Sequence, residues 1–319
     1  MKFAAACALV LILAIASLFI GVSNVSLETL MSGSQDGRAL QVLLISRIPR
    51  TLAIILAGTA MAVTGLIMQM LARNRFVEPS TAGTVESATL GLFVVTLFAP
   101  AAPIIAKMGV AAAFALAGTA LFIRILKEIP LRSVLMVPLV GIMLGGIIAS
   151  ITTFFAYRFD MLQSLSTWTM GDFSSVLRGR YELLWVSFGL TVLAYITADR
   201  FTVAGLGEDF TTNLGLNYRR AINFGLSIVA VVTAVVVVTV GSIPFLGLIV
   251  PNLVSMAMGD NVRRSIPWVA ITGAGLVLAC DIVGRLIRFP YEIPIGTVFG
   301  VVGSAIFLYL LLNRRSRFG

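Results

Sequence analysis

Only a few side chains in this sequence could do chemistry, and most of them lie towards the ends of long apolar runs. Asp281 and Arg285 are four residues apart, a spacing that lets them pair on one side of a helix. Glu86 and Gln69 have comparable positions on other apolar runs. A carboxylate inside a membrane requires a partner, and such residues often mark transport paths. Each of these residues therefore has two interpretations, a structural contact or a role in transport.

Residues that several kinds of catalysis require are missing. The sequence has no histidine, which excludes His-based metal sites, Ser-His-Asp or Cys-His catalysis and His proton relays. Its two cysteines, Cys7 and Cys280, lie within apolar runs and are expected to act as small apolar residues. The sequence contains no G-x-x-x-x-G-K-[ST] motif, so the chain has no P-loop for ATP. We therefore expect neither an enzyme nor a metal protein.

The elements that carry these residues are membrane helices. Charged residues make up 12% of the chain and hydrophobic residues 59%, and the mean hydropathy is +1.02. A soluble domain carries about 25% charged residues. Apolar runs of roughly 17 to 24 residues recur along the chain, and each is long enough to cross about 30 Å of hydrocarbon as a helix.

The fold class is therefore predicted to be all-α, a polytopic membrane bundle of about ten transmembrane helices. The predicted spans lie near 3–22, 51–72, 84–100, 108–126, 133–156, 183–199, 221–241, 243–258, 267–284 and 293–312. The breaks near Gly241 and between Pro100 and Pro103 are short, so a count of nine or eleven stays open. The first run lacks a small-residue cleavage motif, and we expect it to be a retained span.

Lysine and arginine orient the chain. With the N-terminus inside, 14 of these residues fall on the cytoplasmic side and 9 outside, which favours cytoplasmic N- and C-termini. The formal charge of +9 and the pI near 10.2 are explained by a basic face against anionic lipid. They do not require nucleic acid as a partner.

A short polar segment, 199–220, has the pattern of an amphipathic helix on the cytoplasmic side. Acidic residues after two glycines favour a helix start near 208, and residues 213–215 favour its end. Three apolar residues at four-residue spacing would share one side of this helix: Leu206, Phe210 and Leu214. The segment is either an ordinary surface helix or a docking element for a cytoplasmic partner.

Arg47 and Arg50 flank Pro49 at the outer mouth of the second predicted span. Pro49 suits the first turn of a helix, where its missing N–H costs nothing. Two arginines at the positive end of a helix dipole are locally unfavourable, which indicates another reason for them. That reason is either an acidic partner or snorkelling to lipid headgroups.

A Gly- and Pro-rich stretch, 241–252, indicates helix breaks or close helix packing. Within it, Gly247-Leu-Ile-Val-Pro251 echoes Gly65-Leu-Ile-Met-Gln69. This echo hints at a repeated half, as in many transporters.

Together these segments resemble the FecCD-type permeases, the membrane subunits of ABC importers for iron-siderophores, haem and vitamin B12. The resemblance covers essentially the whole chain. Its motifs are Arg47-Ile-Pro-Arg50, the Gly58 to Gln69 helix, the Asn74 to Pro79 loop, Trp168-Thr-Met-Gly171, Gly207-Glu208 to Leu214-Gly215, Phe245-Leu-Gly-Leu-Ile-Val-Pro251, Gly259-Asp260, Asp281 to Arg285 and Glu292-Ile-Pro-Ile-Gly296. In four places the sequence departs from the family: Asn-Pro-Leu-Ala reads Asn74-Arg-Phe-Val77, Pro-His reads Pro251-Asn252, Gly-Ser-Gly-Ala reads Val85-Glu86-Ser87-Ala88, and a late Gly-x-Pro reads Gly303-Ser304.

The resemblance implies a type II ABC importer permease fold, with residues 1–319 as a single transmembrane permease domain in the bacterial cytoplasmic (inner) membrane. The implied partners are a second permease subunit, two cytoplasmic ABC ATPase subunits and an extracytoplasmic siderophore-binding protein. This chain would bind no cofactor, since ATP and Mg²⁺ would be bound by the partner ATPase. The pattern looks most like the branch of paired permeases for catecholate-type siderophores, so we expect a heterodimer with a different homologous permease.

The resemblance also assigns sites. The ATPase-coupling segment, about 205–216, would use Leu206, Gly207, Glu208, Asp209, Phe210, Leu214 and Gly215. The arginines that grip acidic residues of the binding protein fall on Arg47, Arg50 and Arg285. Structural or pathway positions would be Gln69, Glu86, Asn252, Asp281 and Glu292.

The expected function is therefore that of the permease subunit of an ATP-driven ferric-siderophore importer. It would form the translocation path and couple it to the ATPase. The alternative is an ion-coupled secondary transporter of a small solute, which would need a buried carboxylate at the centre of the bundle. Glu86 and Asp281 are the candidates for that role. An intramembrane enzyme is disfavoured because the chain lacks histidine and an ordered nucleophile–base pair.

Overall fold

The computed structural model describes residues 2–21, 38–129, 136–259 and 261–314. Over these ranges the chain forms only helices, together with their connecting loops, which confirms the all-α prediction. In chain order the α-helices are α1 (Lys2–Phe19), α2 (Arg38–Val42), α3 (Ile48–Leu71), α4 (Thr84–Phe98), α5 (Ile104–Glu128), α6 (Met136–Arg158), α7 (Leu162–Thr169), α8 (Leu184–Ile196), α9 (Ala198–Gly205), α10 (Glu208–Asn213), α11 (Tyr218–Val240), α12 (Leu246–Met258), α13 (Val262–Leu286) and α14 (Ile295–Arg314). A π-helical segment, Leu43–Arg47, joins α2 to α3.

The predicted spans correspond to helices of the described chain. Six helical runs are long and apolar enough to cross a membrane, those of α1, α3, α5, α6, α11 and α13. Four shorter apolar helices, α4, α8, α12 and α14, occupy the remaining predicted spans. Large apolar side chains also face outwards along these helices, for example Ile147 and Phe154 of α6, as a surface against lipid or another apolar chain requires. Arg132, Asp260, Arg315 and Arg317, which the sequence interpretation used, lie outside the described residues.

Helix α3 forms the centre of the bundle. Its most apolar stretch is 89% buried, and it packs against α8, α11, α12 and α13. Gly58 contacts the backbone at Gly273, and Gly65 lies so close to Gly247 that a methyl group there would overlap the Gly247 backbone. Apolar burial favours helix association little in lipid, so close backbone packing of this kind is what holds such helices together.

Pro49 lies in the first turn of α3, as predicted. The helical chain itself begins earlier, because it reaches back through the π-helical segment to Arg38. Pro49 has no N–H to donate to the carbonyl of Ile45, four residues earlier. The backbone N–H of Arg178 donates to that carbonyl instead, at 2.9 Å. The proline is therefore accommodated inside a continuous helix by a widened turn and a bond from a distant loop.

A short helix absent from the prediction lies between α6 and α8. Helix α7 buries Leu165 and packs against α4, α6 and α11. The chain after it meets two other loops, because Gly296 donates its N–H to Gly171 at 2.9 Å and Asp172 donates to Val240 at 2.8 Å. The loops that precede α12 and α14 are thereby held together next to α7.

Candidate functional site

The segment predicted to dock a partner forms a short helix at one end of the bundle. Helix α10 spans Glu208–Asn213, as the sequence pattern predicted. Gly207 precedes it with φ +114° and Gly215 follows it with φ +76°. Both values favour glycine, since side chains are strained in this region. The two acidic residues of the first turn, Glu208 and Asp209, are favoured at the positive end of a helix.

The apolar residues of this segment point away from the chain. Leu206, Phe210 and Leu214 are 59%, 63% and 62% exposed. Such exposure at the polar end of a bundle leaves apolar surface without cover from the described part of the chain. The prediction that all three share one helix is wrong, because only Phe210 lies on α10, while Leu206 precedes it and Leu214 follows it. Together the three exposed side chains form an apolar surface suited to a partner's groove.

The α10 helix is fixed to the bundle by its opposite side. Thr211 is fully buried, and its hydroxyl donates to the carbonyl of Gly207 at 2.6 Å and lies 3.1 Å from that of Val203. Val203 belongs to α9, which packs against α3 and α11 and buries Phe201 there. The ring of Phe201 stacks on Phe224 of α11 with centroids 6.1 Å apart. A force applied to α10 therefore reaches the central helix through α9.

The opposite end of the bundle contains a buried cluster of charged groups. Arg50 donates to Asp281 at 2.7 Å and to Glu292 at 2.5 Å. The second carboxylate oxygen of Asp281 accepts from Arg285, which confirms the predicted i, i+4 pair. Asp281 therefore joins two guanidinium groups, one from α3 and one from its own helix α13.

The other donors of this cluster cap the end of α1. Arg285 donates to the carbonyls of Ser17 and Ile20 at 3.0 Å, and Arg47 donates to that of Leu18 at 2.6 Å. The last carbonyls of a helix lack partners within it and carry partial negative charge, so cations stabilise them. The sequence argument had required another reason for Arg47 and Arg50. The structure supplies internal ones, a helix C-terminus for Arg47 and two carboxylates for Arg50.

This arrangement bears on the predicted docking role of the three arginines. Arg47 and Arg285 are buried, and the Arg50 side chain is 11% exposed. Glu292 is the most accessible member of the cluster, at 27%. The docking role stays a prediction, and in this conformation a partner's carboxylate could reach Arg50 only by competing with Glu292.

Two interior polar residues bind the backbone of neighbouring segments. Gln69 donates to the carbonyl of Gly247 at 3.2 Å. Asn252 donates to Leu248 at 2.6 Å and to Arg75, in the loop after α3, at 2.8 Å. These bonds connect α3 and its following loop to α12, so the structural interpretation accounts for both residues.

The interior also contains functional groups that the sequence argument did not single out. Glu78, in the loop between α3 and α4, is buried and accepts from the N–H of Phe245 at 2.8 Å, immediately before α12 begins. Ser17 and Thr211 are also buried, and the Ser17 hydroxyl accepts from Arg285 at 3.0 Å. A single buried hydroxyl or carboxylate cannot be recognised from one sequence, because the groups that it bonds are distant in the chain or lie on a short helix. The pattern at the start of α12 could have indicated that a carboxylate binds the free N–H groups there. It could not have shown which carboxylate does so.

Glu86 occupies a different environment. It lies in the first turn of α4 and lines a cavity of about 190 Å³ between α4, α6 and α7. Its carboxyl group faces Gly145 of α6, where an added Cβ would lie 3.3 Å from Oε2. Among the described residues, Oε2 is buried without a hydrogen-bond partner.

Comparison with known proteins links this geometry to one family. The FecCD transport family matches residues 9–313. The petrobactin import system permease protein YclN of Bacillus subtilis is 50% identical over 97% of this chain and 97% of its own length. The petrobactin import system permease protein FatD of Bacillus anthracis is 44% identical over 98% and 91%. The ferric-anguibactin transport system permease protein FatD of Vibrio anguillarum is 39% identical over 93% and 94%.

A solved structure shares the fold. A chain described as a metal-chelate type ABC transporter in an inward-facing conformation superimposes with a TM-score of 0.82 over 98% of this chain and 99% of that one. The two sequences are 24% identical, so this likeness supports the helical architecture alone.

Proposed function

We propose that this chain, which belongs to the FecCD transport family and is a non-catalytic, multi-pass permease subunit of an ABC importer, carries a ferric siderophore of the catecholate type. Its similarity to three named siderophore permeases, at 39–50% identity over nearly full length, is the observation that supports the substrate. The ion-coupled secondary transporter is not adopted, because importers of this family work with a separate ATPase.

The proposed orientation places both termini and α10 in the cytoplasm. The exposed Leu206, Phe210 and Leu214 would then fill a groove on one of two ABC ATPase subunits, which bind ATP and Mg²⁺. Glu208 and Asp209 keep the start of α10 polar, and Gly207 and Gly215 supply its two turns. Closure of the ATPase would move α10, and α9 would pass that movement to α3.

At the outer end, the proposed partner is an extracytoplasmic siderophore-binding protein. One of its carboxylates would take the place of Glu292 on Arg50, while Asp281 stays bonded to both Arg50 and Arg285. Arginine suits such an exchange, because its planar fork can hold two carboxylates in fixed directions. We propose that the second permease subunit is a different homologous chain. The two subunits together would enclose the translocation path.

The substrate proposal is tested by uptake. The full transporter is expressed in a bacterium that lacks its own importers of this family, and cells are given radioactive ferric iron bound to petrobactin, to a hydroxamate siderophore or to citrate. We expect petrobactin-bound iron to enter and the other two to enter poorly. A matched control carries an ATPase that binds but does not hydrolyse ATP. Equal uptake from all three chelates, or uptake preserved in the control, would contradict the proposal.

A further inference from the structure

The cavity at Glu86 presents hydrogen-bond acceptors on several sides. Besides Glu86 it is lined by three apolar residues, Val85, Ala149 and Leu165, and by four threonines and a serine: Thr89, Thr152, Thr153, Thr169 and Ser242. It lies near the middle of α6, where Gly145 leaves room for the carboxyl group. Two of its lining residues, Ala149 and Thr153, are exposed on this chain.

Three of the four threonine hydroxyls have already used their only proton. Thr89 donates to Val85 at 2.9 Å, Thr152 to Ile148 at 2.8 Å and Thr169 to Leu165 at 3.0 Å. A hydroxyl has one proton and two lone pairs. The lone pairs of these oxygens therefore remain as acceptors, and an ionised carboxylate is acceptor-only as well.

In its ionised form the Glu86 carboxyl group needs a partner that the described part of the chain does not provide. No ion pair joins Glu86 to an arginine or lysine among the described residues, and its buried Oε2 accepts no hydrogen bond there. The start of α4 favours negative charge nearby, but it leaves that oxygen unbonded. A carboxylate inside a membrane protein is costly unless it is paired.

We propose that this cavity binds a monovalent cation, coordinated by the Glu86 carboxylate and the threonine hydroxyl oxygens. Oxygen ligands of this kind suit a hard cation, and one carboxylate balances a single positive charge. At roughly 30 Å³ per water, a cavity of about 190 Å³ holds the ion with part of its hydration shell. The inference does not depend on which substrate the importer carries.

The test measures cation binding on the whole transporter complex in detergent. Its thermal unfolding midpoint is recorded while sodium chloride, or separately potassium chloride, replaces choline chloride at constant ionic strength. A bound ion stabilises the folded state in a saturable way. We expect a saturable rise of the midpoint with at least one of the two ions in the wild type, and none with either ion in Glu86→Gln.

Two further variants make the result specific. Thr152→Val keeps the shape of the side chain but removes one oxygen ligand, so the half-saturating concentration should rise several-fold. Glu128→Gln, at an exposed position at the end of α5, should titrate like the wild type.

A wild-type midpoint that does not change in either titration would mean that the cavity holds only water and would overturn the proposal. So would a Glu86→Gln variant that still responds to the cation. If Glu86→Gln fails to assemble, Thr152→Val decides, since an unshifted curve would also overturn the site.

Discussion

Two arginines donate to Asp281, so we expect its substitution to have the largest effect on stability. Its side chain is 2% exposed. In Asp281→Asn, Arg50 and Arg285 would stay buried with one carboxylate fewer. Breaking a buried ion pair by removing one partner costs on the order of 3–5 kcal/mol. We therefore predict a large fall in the thermal unfolding midpoint of the purified complex, or in the amount of folded protein.

Asp199 supplies a matched control for that experiment. It also pairs with an arginine, Arg263, at 2.7 Å, but the two side chains are 65% and 59% exposed. Exposed pairs contribute about 0–1 kcal/mol, so Asp199→Asn should leave the midpoint nearly unchanged. Equal effects of the two substitutions would show that burial does not set the strength of the cluster around Asp281.

Glu292 allows a prediction about docking in which two substitutions in the same cluster have opposite effects on affinity. If a binding protein's carboxylate competes with Glu292 for Arg50, Glu292→Gln should strengthen capture of the binding protein, and Arg50→Gln should weaken it. Both effects should shrink as salt rises, because salt screens the attraction between the two proteins as they approach. The measurement is surface-capture affinity against ionic strength. Glu182→Gln, at an exposed loop position, serves as the control, and weaker capture in Glu292→Gln would count against the exchange.

For individual residues, the sequence predicted contacts between neighbours in the chain better than contacts between distant residues. The i, i+4 pair of Asp281 and Arg285 follows from helix geometry alone. The bond from Arg50 to Asp281 joins residues 231 apart, and no local pattern encodes it. The sequence did indicate that Arg47 and Arg50 needed a partner. It could not distinguish an internal carboxylate from an external one, because both satisfy the same charge.

Helix α10 carries the prediction that concerns coupling. Phe210→Asp with Leu214→Asp would place two charges on the proposed contact with the ATPase. We expect the ATPase to dissociate, or its hydrolysis to continue without uptake, while the permease folds normally because both side chains are exposed. Pull-down of the ATPase and uptake measured on the same membranes would detect either outcome.

The control for this prediction lies on the same helix. Thr212 is exposed two residues from Phe210, so Thr212→Asp adds a charge away from the apolar side chains. It should assemble and transport nearly as the wild type does. If the double variant behaves like Thr212→Asp, the apolar side chains of α10 do not form the contact.

Element boundaries were predictable where periodicity and length decide them. Helix α10 and the ten apolar helices followed from that signal. Helix α7 did not, since its eight residues are stabilised by contacts with α4, α6 and α11 rather than by their own pattern. Pro49 marked the first turn of α3 correctly. The helical residues before it were not predicted, because they depend on a π-helical segment and on the distant N–H of Arg178.

The orientation of the whole molecule is testable by labelling. Single cysteines are placed at 128 and at 172 in a background without Cys7 and Cys280, and intact spheroplasts are treated with an impermeant thiol reagent. With both termini cytoplasmic, position 172 should react and position 128 should react only after the membrane is opened. The reverse pattern would invert the orientation and place α10 outside, where no ATPase could reach it.

The glycine contacts of α3 limit which helices can move relative to one another during transport. Where two backbones touch, as at Gly65 and Gly247, there is no layer of side chains that could change rotamer to absorb a tilt. Helices α3, α12 and α13 should therefore move together as one rigid unit relative to the other helices. Spin labels on α3 and α13 should keep their separation through the ATP cycle, whereas a pair joining α3 to α6 should not. The path would then open when this rigid unit moves relative to the helices around it.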